Sequence, residues 1–471
     1  MRETVRRGDA VVSGANQAGR AGATGRFRPY PAYKDSGVEW LGEIPAHWEV
    51  KPIRALARPG YKTFTDGDWI ESPFIRDEGI RLIQTGNVGV GGYREQGFRY
   101  IDEETFRAFR CSEVLPGDVL ICRLADPVGR ACLAPDLACR MITSVDVCIL
   151  KPASDDHAAF VVHALTGSEY LAWLAGICRG GTRDRVSRSM LGAIRVQRPP
   201  LAEQSSIAAY LDRETARIDA LVAKKERLIE LLQAKRTALI TRAVTKGLDP
   251  NVPMKDSGVE WLGEIPAHWE VKRLRHISPS LGVGVVVNPS NYVADEGLPF
   301  LYGSDIGEGQ IHAAEARRIS RQDSRRLPKS ELRPGDLVMV RVGAPGVTAV
   351  VPPDLDGANC ASLLVIRRSH GLASSWLCYA LNSRYVRSQI EVVQYGAAQE
   401  QFNVSHARNF VIALPPLREQ DSIADYLDRE TARIDALVSK VRDAIARLKE
   451  LRTALISAAV TGKIDVRQEV A

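Results

Sequence analysis

Two arginine-rich stretches hold the side chains best suited by type to bind a polyanion. Arg179 to Arg198 (RGGTRDRVSRSMLGAIRVQR) carries six arginines against one aspartate, and Glu315 to Lys329 (EARRISRQDSRRLPK) carries six basic residues against two acidic ones. A guanidinium can grip phosphate or pair bidentately with guanine, and a carboxamide can do the same with adenine. Gln394, Gln399, Gln401 and Asn403 occupy the later segment that corresponds to the first arginine run. Arg123 and Arg341 also correspond, each closing a β-type run inside LPGDVLICR and RPGDLVMVR. The candidate DNA contacts are therefore Arg123, Arg179, Arg183, Arg185, Arg188, Arg317, Arg318, Arg341, Gln399, Gln401 and Asn403. The bland alternatives are that a charge run is a solvated face and that a paired arginine braces a turn.

Motifs for catalysis are missing. There is no G-x-x-x-x-G-K-[ST] phosphate loop, no G-x-S-x-G elbow and no N-P-P-[YF] or D-P-P-Y motif of amino-methylating enzymes. Gly86 to Gly92 (GNVGVGG) follows a β-type run but lacks the helix and distal acidic residue of a nucleotide site. Glu49-x-Lys51 and Glu270-x-Lys272 lack the upstream Pro-Asp of a nuclease metal pair. The eight cysteines form no C-x-x-C and the eight histidines do not cluster at ligand spacing, so the cysteines read as small buried hydrophobes. The expectation is a binding protein with no catalytic residue, no metal site and no cofactor of its own.

The elements that would position these side chains come as a duplication. Lys34 to Lys51 (KDSGVEWLGEIPAHWEVK) recurs letter for letter from Lys255, and PPLAEQSSIAAYLDRETARIDALVAK from Pro199 returns from Pro415 with 22 of 26 positions identical. Two copies of one unit are implied, and pseudo-twofold packing is their natural arrangement. The bodies between these arms have drifted apart. Short β-type runs punctuated by Gly, Pro, Asn and Asp make each body a mixed α/β domain. Each arm after Pro-Pro runs to Gly247 or Gly462 without Gly or Pro and reads as a long helix. In the second, Ile434, Leu437, Val441, Ala444, Leu448, Leu451 and Leu455 hold a heptad stripe; in the first, Ile218, Leu221, Leu228, Leu232 and Leu239 continue it with interruptions at Lys225 and Lys235. The fold class expected is therefore duplicated α/β (mixed α+β) recognition domains separated by a long antiparallel two-helix coiled coil with pseudo-twofold symmetry. The expected boundaries are a disordered basic leader at 1–29, a first domain at 30–200, a first helix at 201–247, a second domain at 248–416, a second helix at 417–463 and a tail at 464–471. A mis-assigned start would explain the leader equally well.

A net charge of +6 over 471 residues leans towards a polyanionic partner. The apolar fraction of 45% is ordinary for a globular chain. No apolar stretch is long enough for a membrane span, and the N-terminus lacks a secretory core, so a cytoplasmic location is expected.

The order W-L-G-x-I-P-x-x-W, a body with P-G-D-[VL], then P-P-L-x-E-Q-x-x-I and a long helix, all of it twice, resembles the specificity subunits of Type I restriction-modification systems. The resemblance covers Tyr33 to about Val466. It implies two target recognition domains, each binding one half of a bipartite double-stranded DNA sequence, with the helix pair as the spacer. It also implies two modification (methyltransferase) subunits carrying S-adenosylmethionine, and restriction (endonuclease/translocase) subunits for which ATP and Mg are expected. The first body's TRDRVSR has no counterpart to the second's QEQFN, so the halves are not equivalent. Two other classes stay open: a coiled-coil scaffold that binds other proteins instead of DNA, and an enzyme with an unrecognised site.

Overall fold

The computed structural model describes residues 27–124, 126–178, 184–278, 280–395 and 402–469, with backbone alone at 393–395. The chain divides into two compact units, residues 1–224 with 444–471, and residues 225–443. Each unit holds one body with part of each long helix.

The repeated opening arm folds identically in both units. Tyr33–Asp35 pairs antiparallel with Glu43–Pro45 in the first, and Met254–Asp256 with Glu264–Pro266 in the second. The next strand, Glu49–Pro52 or Glu270–Arg273, pairs with the segment that leads into Pro-Pro, Arg195–Arg198 or Val411–Leu414. Both ends of each body are thus tied together before the helix begins. Trp48 and Trp269 are fully buried beneath this arm, as an apolar staple.

The drifted bodies share one topology. In the first unit, Phe64–Asp66, Val147–Leu150, Val119–Cys122 and Ala131–Leu133 form an antiparallel sheet in that spatial order. In the second, Leu281–Val283, Leu364–Ile366, Leu337–Met339 and Thr348–Val350 repeat it. Leu150 faces Phe64 and Val119 where Ile366 faces Leu281 and Leu337, so register is retained although the residues are not. A second sheet in each body, three-stranded in the first and four-stranded in the second, contains a parallel pair, Ile80–Ile83 with Met141–Thr143 and Leu298–Leu301 with Asn359–Cys360. The central strands are buried on both faces, which explains their continuous apolar runs.

The long helices span Leu201–Lys246 and Leu417–Val460. They lie antiparallel within each unit. In the first, Ile207, Ala208 and Leu211 share a core with Ile456, Ala459 and Val460. In the second, Ile240, Ala243 and Val244 share one with Ile423, Ala424 and Leu427. The stripe corrects the sequence reading in one column. Ile218, Leu232, Leu239, Ile434, Val441, Leu448 and Leu455 are buried or half-buried, but Leu221, Leu228, Leu437 and Leu451 are exposed by 39, 43, 43 and 54%. Val222, Ile229 and Val438 take the place of Leu221, Leu228 and Leu437, Ile445 lies in the same column beside Ala444, and Arg452 takes the place of Leu451. Lys225 sits half-buried on the stripe as expected, whereas Lys235 is exposed and Arg236 occupies the stripe position beside it. Apolar residues predominate in both columns flanking the shared one, so the pattern alone could not say which faces the partner.

Residues 1–26 of the expected leader lie outside the described residues. Phe27–Pro29 is ordered: Arg28 bridges to Asp465, and Phe27 packs edge-on against Tyr210 at 5.9 Å. Among the described residues no helix is long and apolar enough to cross a membrane. Six of the eight cysteines are buried, Cys178 is half-buried and Cys139 is exposed, which corrects the uniform reading. Burial pushes the Cys111, Cys132, Cys148, Cys360 and Cys378 thiols up to about 12, which leaves them in the inert thiol form.

Candidate nucleic-acid interface

The central strand of each main sheet ends at an arginine, Arg123 after Val119–Cys122 and Arg341 two residues beyond Leu337–Met339. At this end the first unit gathers side chains that are remote in sequence. The backbone of Arg185 bridges to Leu124, and the Val186 N–H donates to the Arg123 carbonyl at 3.0 Å. Two carboxylates join them from neighbouring strands. Arg123 places Nε 3.1 Å from Asp66 Oδ1 and Nη2 3.6 Å from Asp146 Oδ1, and it donates to the Val145 carbonyl at 2.7 Å. Arg185 reaches Asp146 at 2.7 Å, and Arg188 lies 3.8 Å from Asp66.

Arg123 is therefore corrected as a candidate DNA contact. It is 5% exposed and committed to two carboxylates, so it braces the junction. Arg185 and Arg188 keep about half their side-chain surface (52 and 46%) and can reach an external anion. Arg179 and Arg183 lie outside the described residues.

In the second unit no carboxylate among the described residues pairs with the arginine at this strand end. Strand register puts Val283 where the first unit has Asp66, and Ser362 where it has Asp146. Arg341 instead donates from Nε to the Phe402 carbonyl at 2.9 Å and from Nη2 to Asn403 Oδ1 at 3.1 Å. Burial lowers the affinity of this guanidinium for its proton below the ordinary arginine value, and no anion among the described residues offsets it. The described partners of this nearly buried cation are neutral acceptors, where Arg123 has carboxylates. The structure thus joins Arg341 to Asn403, while Gln399 and Gln401 lie outside the described residues.

Arg317 and Arg318 lie apart from this pair, on the strand Arg317–Ile319 of the second sheet. Arg317 is exposed, its guanidinium 4.4 Å over the Tyr302 ring; Arg318 is half-buried. Gly303, beside Tyr302, packs under the chain at Val340, where an added Cβ would come within 3.3 Å of Val340 Cγ1. This places the turn that follows the strand Leu298–Leu301 against the strand end that carries Arg341. The glycine-rich segment 86–92 is no nucleotide loop. No helix follows it, and buried Arg130 pins it by donating to the Thr85 and Val88 carbonyls at 2.8 and 2.6 Å. Among the described residues no group of three His, Cys, Asp or Glu could hold a metal.

Sequence reasoning missed what the doubled arms do. Gln204 accepts the His157 N–H at 2.8 Å and donates to the Pro199 carbonyl at 2.8 Å, and Gln420 does the same with Ala373 and Pro415 at 2.9 Å each. Each glutamine fastens its body to the start of its helix. Glu203 and Glu419 hold His47 and His268 at 2.8 and 3.1 Å. The signal was available, since E-Q and A-H-W are shared by copies whose bodies are not.

The duplicated scaffold with matching arms decides what to compare it with. No family model matches the chain. It is 25% identical over 330 residues to the Type I restriction enzyme EcoBI specificity subunit of Escherichia coli, covering 68% of this chain and 69% of that one. It is 21% identical to the EcoKI specificity subunit of Escherichia coli strain K12, covering 90% of this chain and 91% of the relative. The chain is a relative of Type I restriction enzyme specificity subunits. The archaeal putative MjaX specificity subunit of Methanocaldococcus jannaschii is 24% identical, over 91% of this chain and 96% of the relative. The fold agrees. A chain from a structure of the type I R-M system, described for its complex assembly and conformational transition, superposes with a TM-score of 0.67 over 88% of this chain and 98% of that one at 19% identity. The HsdS subunit from Thermoanaerobacter tengcongensis does so with a TM-score of 0.54 over 89% and 98%, also at 19% identity.

Proposed function

We propose that this chain is the DNA-specificity subunit of a Type I restriction-modification complex and is not itself catalytic. Each body reads one half of a bipartite target on duplex DNA. The helix pair sets the distance between the halves, and the near-identical arms seat two modification subunits. S-adenosylmethionine belongs to those subunits, and ATP and Mg to restriction subunits; the cytoplasm, where such a complex meets DNA, is the proposed location. One observation carries this reading: a single scaffold occurs twice with its arms unchanged and its strand-end chemistry rewritten, Arg123 with Asp66 and Asp146 in one copy and Arg341 with Asn403 in the other. Same arms suit one partner bound twice, and different ends suit two different half-sites.

Co-expression with a Type I modification subunit from the same source, followed by methylome sequencing, tests the proposal. The expected result is one asymmetric motif in two parts separated by unread bases, with no methyl transfer by the purified chain alone. Methyl transfer by that chain, or no modified motif from the assembled complex, overturns it.

A further inference from the structure

The turn that precedes the central strand, at the opposite end from Arg341, borders an open surface cavity of about 540 Å³ in the second unit. Arg333, Arg367, Arg368 and His370 line it together with Asp336. The one carboxylate is already spent. Asp336 accepts Arg367 Nη1 at 2.6 Å, the Arg333 N–H at 3.1 Å and the Arg368 N–H at 2.9 Å. Arg367 is spent as well, donating further to the Glu331 and Lys329 carbonyls at 2.7 and 3.0 Å. The side chains of Arg333, Arg368 and His370 have no carboxylate partner among the described residues and surround open space.

The first unit supplies the control. Its corresponding turn keeps the structural pair, Lys151 to Asp118 at 2.7 Å, and the Leu115 N–H on Asp118 at 2.9 Å. Where the second unit has Arg333, Arg368 and His370, the first has Leu115, Pro152 and Ser154. The brace is common to both copies, and the three extra cationic side chains are not needed for it. The stem of Arg368 moreover lies over Gly335, so close that a Cβ there would fall 2.7 Å from Arg368 Cδ, whereas a Cβ on the corresponding Gly117 would meet nothing within 4 Å. An exposed guanidinium without a carboxylate partner, on a stem that rests against the turn, offers a donor fork of the kind that suits tetrahedral oxyanions.

We propose that this cavity is a binding seat for a phosphate group, with Arg333 and Arg368 as the donors and His370 at the rim. Asp336 and Arg341 are five residues of mostly extended chain apart, roughly 16 Å. The seat therefore cannot serve the bases that meet Arg341, and its phosphate comes either from duplex backbone beyond the half-site or from a free phosphorylated small molecule. It adds to the proposed function without depending on it.

The experiment uses the full chain. Inorganic phosphate is titrated by calorimetry and by phosphorus line-broadening into the unaltered protein, into Arg333→Leu/Arg368→Gln/His370→Ser, and into the exposed helix control Arg429→Gln. Saturable binding of one phosphate, weakened roughly tenfold or more in the triple variant and unchanged in the control, is expected. If the triple variant fails to fold, Arg333→Leu alone, an exposed side chain, should weaken binding roughly threefold. A second arm follows retention of a non-target duplex against salt. A slope shallower by about one in the triple variant assigns the phosphate to DNA backbone, and an unchanged slope assigns it to a free ligand. No saturable phosphate binding by the unaltered chain, or equal loss in Arg429→Gln, overturns the seat and leaves the DNA-reading proposal standing.

Discussion

Arg123 and Arg341 occupy one position of a duplicated strand and differ in what surrounds them, which makes the pair a direct test of environment over identity. Replacing Arg123 with Leu leaves Asp66 and Asp146 with only the half-exposed Arg188 and Arg185 as cationic partners in a partly dry site; a destabilisation of about 3 kcal/mol is expected, as for a buried ion pair deprived of its inner partner. Arg341→Leu removes only hydrogen bonds to neutral acceptors and should cost about 1 kcal/mol, while weakening DNA binding more than Arg123→Leu weakens it in a folded chain. Urea unfolding of both variants beside duplex-binding titrations checks the pair, and equal stability losses would contradict it. Asp212 offers a second test. The hydrogen bond from the His163 ring at 2.7 Å holds this carboxyl below its ordinary range, against the desolvation that would raise it. A carboxyl depressed in the folded state contributes stability above its unfolded value of about 3.9 and loses it as pH falls through the folded value. Asp212→Asn should therefore be less stable than the unaltered protein at pH near 7, with the gap narrowing as pH falls below the unfolded value of about 3.9, read from urea midpoints along a descending pH series.

At the scale of elements the helix pair has an internal register mark. Arg452 meets Asp219 at 3.0 Å in the first unit and Arg236 meets Asp435 at 3.4 Å in the second. The shift that carries Pro199 to Pro415 also carries Arg236 to Arg452 and Asp219 to Asp435, so one ion pair is written twice. Both arginines lie on the apolar stripe, half-buried, where a charge is tolerated only if its partner is opposite; polar stripe residues set register and direction in this way. The choice of column makes a sharper prediction. Ile445, 8% exposed, should cost about 2–4 kcal/mol on truncation to Ala, whereas Leu451, 54% exposed, should cost no more than about 0.5 kcal/mol. Thermal or urea unfolding of the two variants decides it, and the reverse order would restore the stripe read from sequence.

For the whole molecule the duplication sets what can be exchanged. Each body is tied off by its own opening arm and by a glutamine at its helix start, so a body is a cassette between two fixed fasteners. Replacing residues 52–198 with the body of a related chain should change one half of the methylated motif and leave the other half and the spacer length unaltered; methylome sequencing reads all three. Adding one heptad to each helix, between Arg227 and Leu228 and between Asp443 and Ala444, keeps both ion pairs in register. About 10 Å of added helix corresponds to roughly three base pairs, so the unread spacer should lengthen by about that much with unchanged half-sites. An unaltered spacer in a folded, active protein would show that the helices do not set the distance.

Repetition was fully legible in the residues, and with it the two long helices, because eighteen identical positions and an unbroken run without Gly or Pro are local facts that no packing can reverse. The mixed character of the bodies was legible from their short apolar runs. Their shared topology was not, since sheet register depends on which strands meet, and drifted residues such as Asp66 and Val283 satisfy the same pairing. The correct helix column was hidden for a related reason: Leu437 and Val438 are equally apolar, and only the direction and roll of the opposing helix choose between them. The candidate site divides in the same way. Arginine enrichment was visible as charge, but whether a given arginine is spent or free depends on carboxylates that strand pairing brings from elsewhere. Asp66 and Asp146 neutralise Arg123 and no carboxylate among the described residues reaches Arg341, because tertiary structure, and not sequence neighbourhood, sets the distance over which charges act.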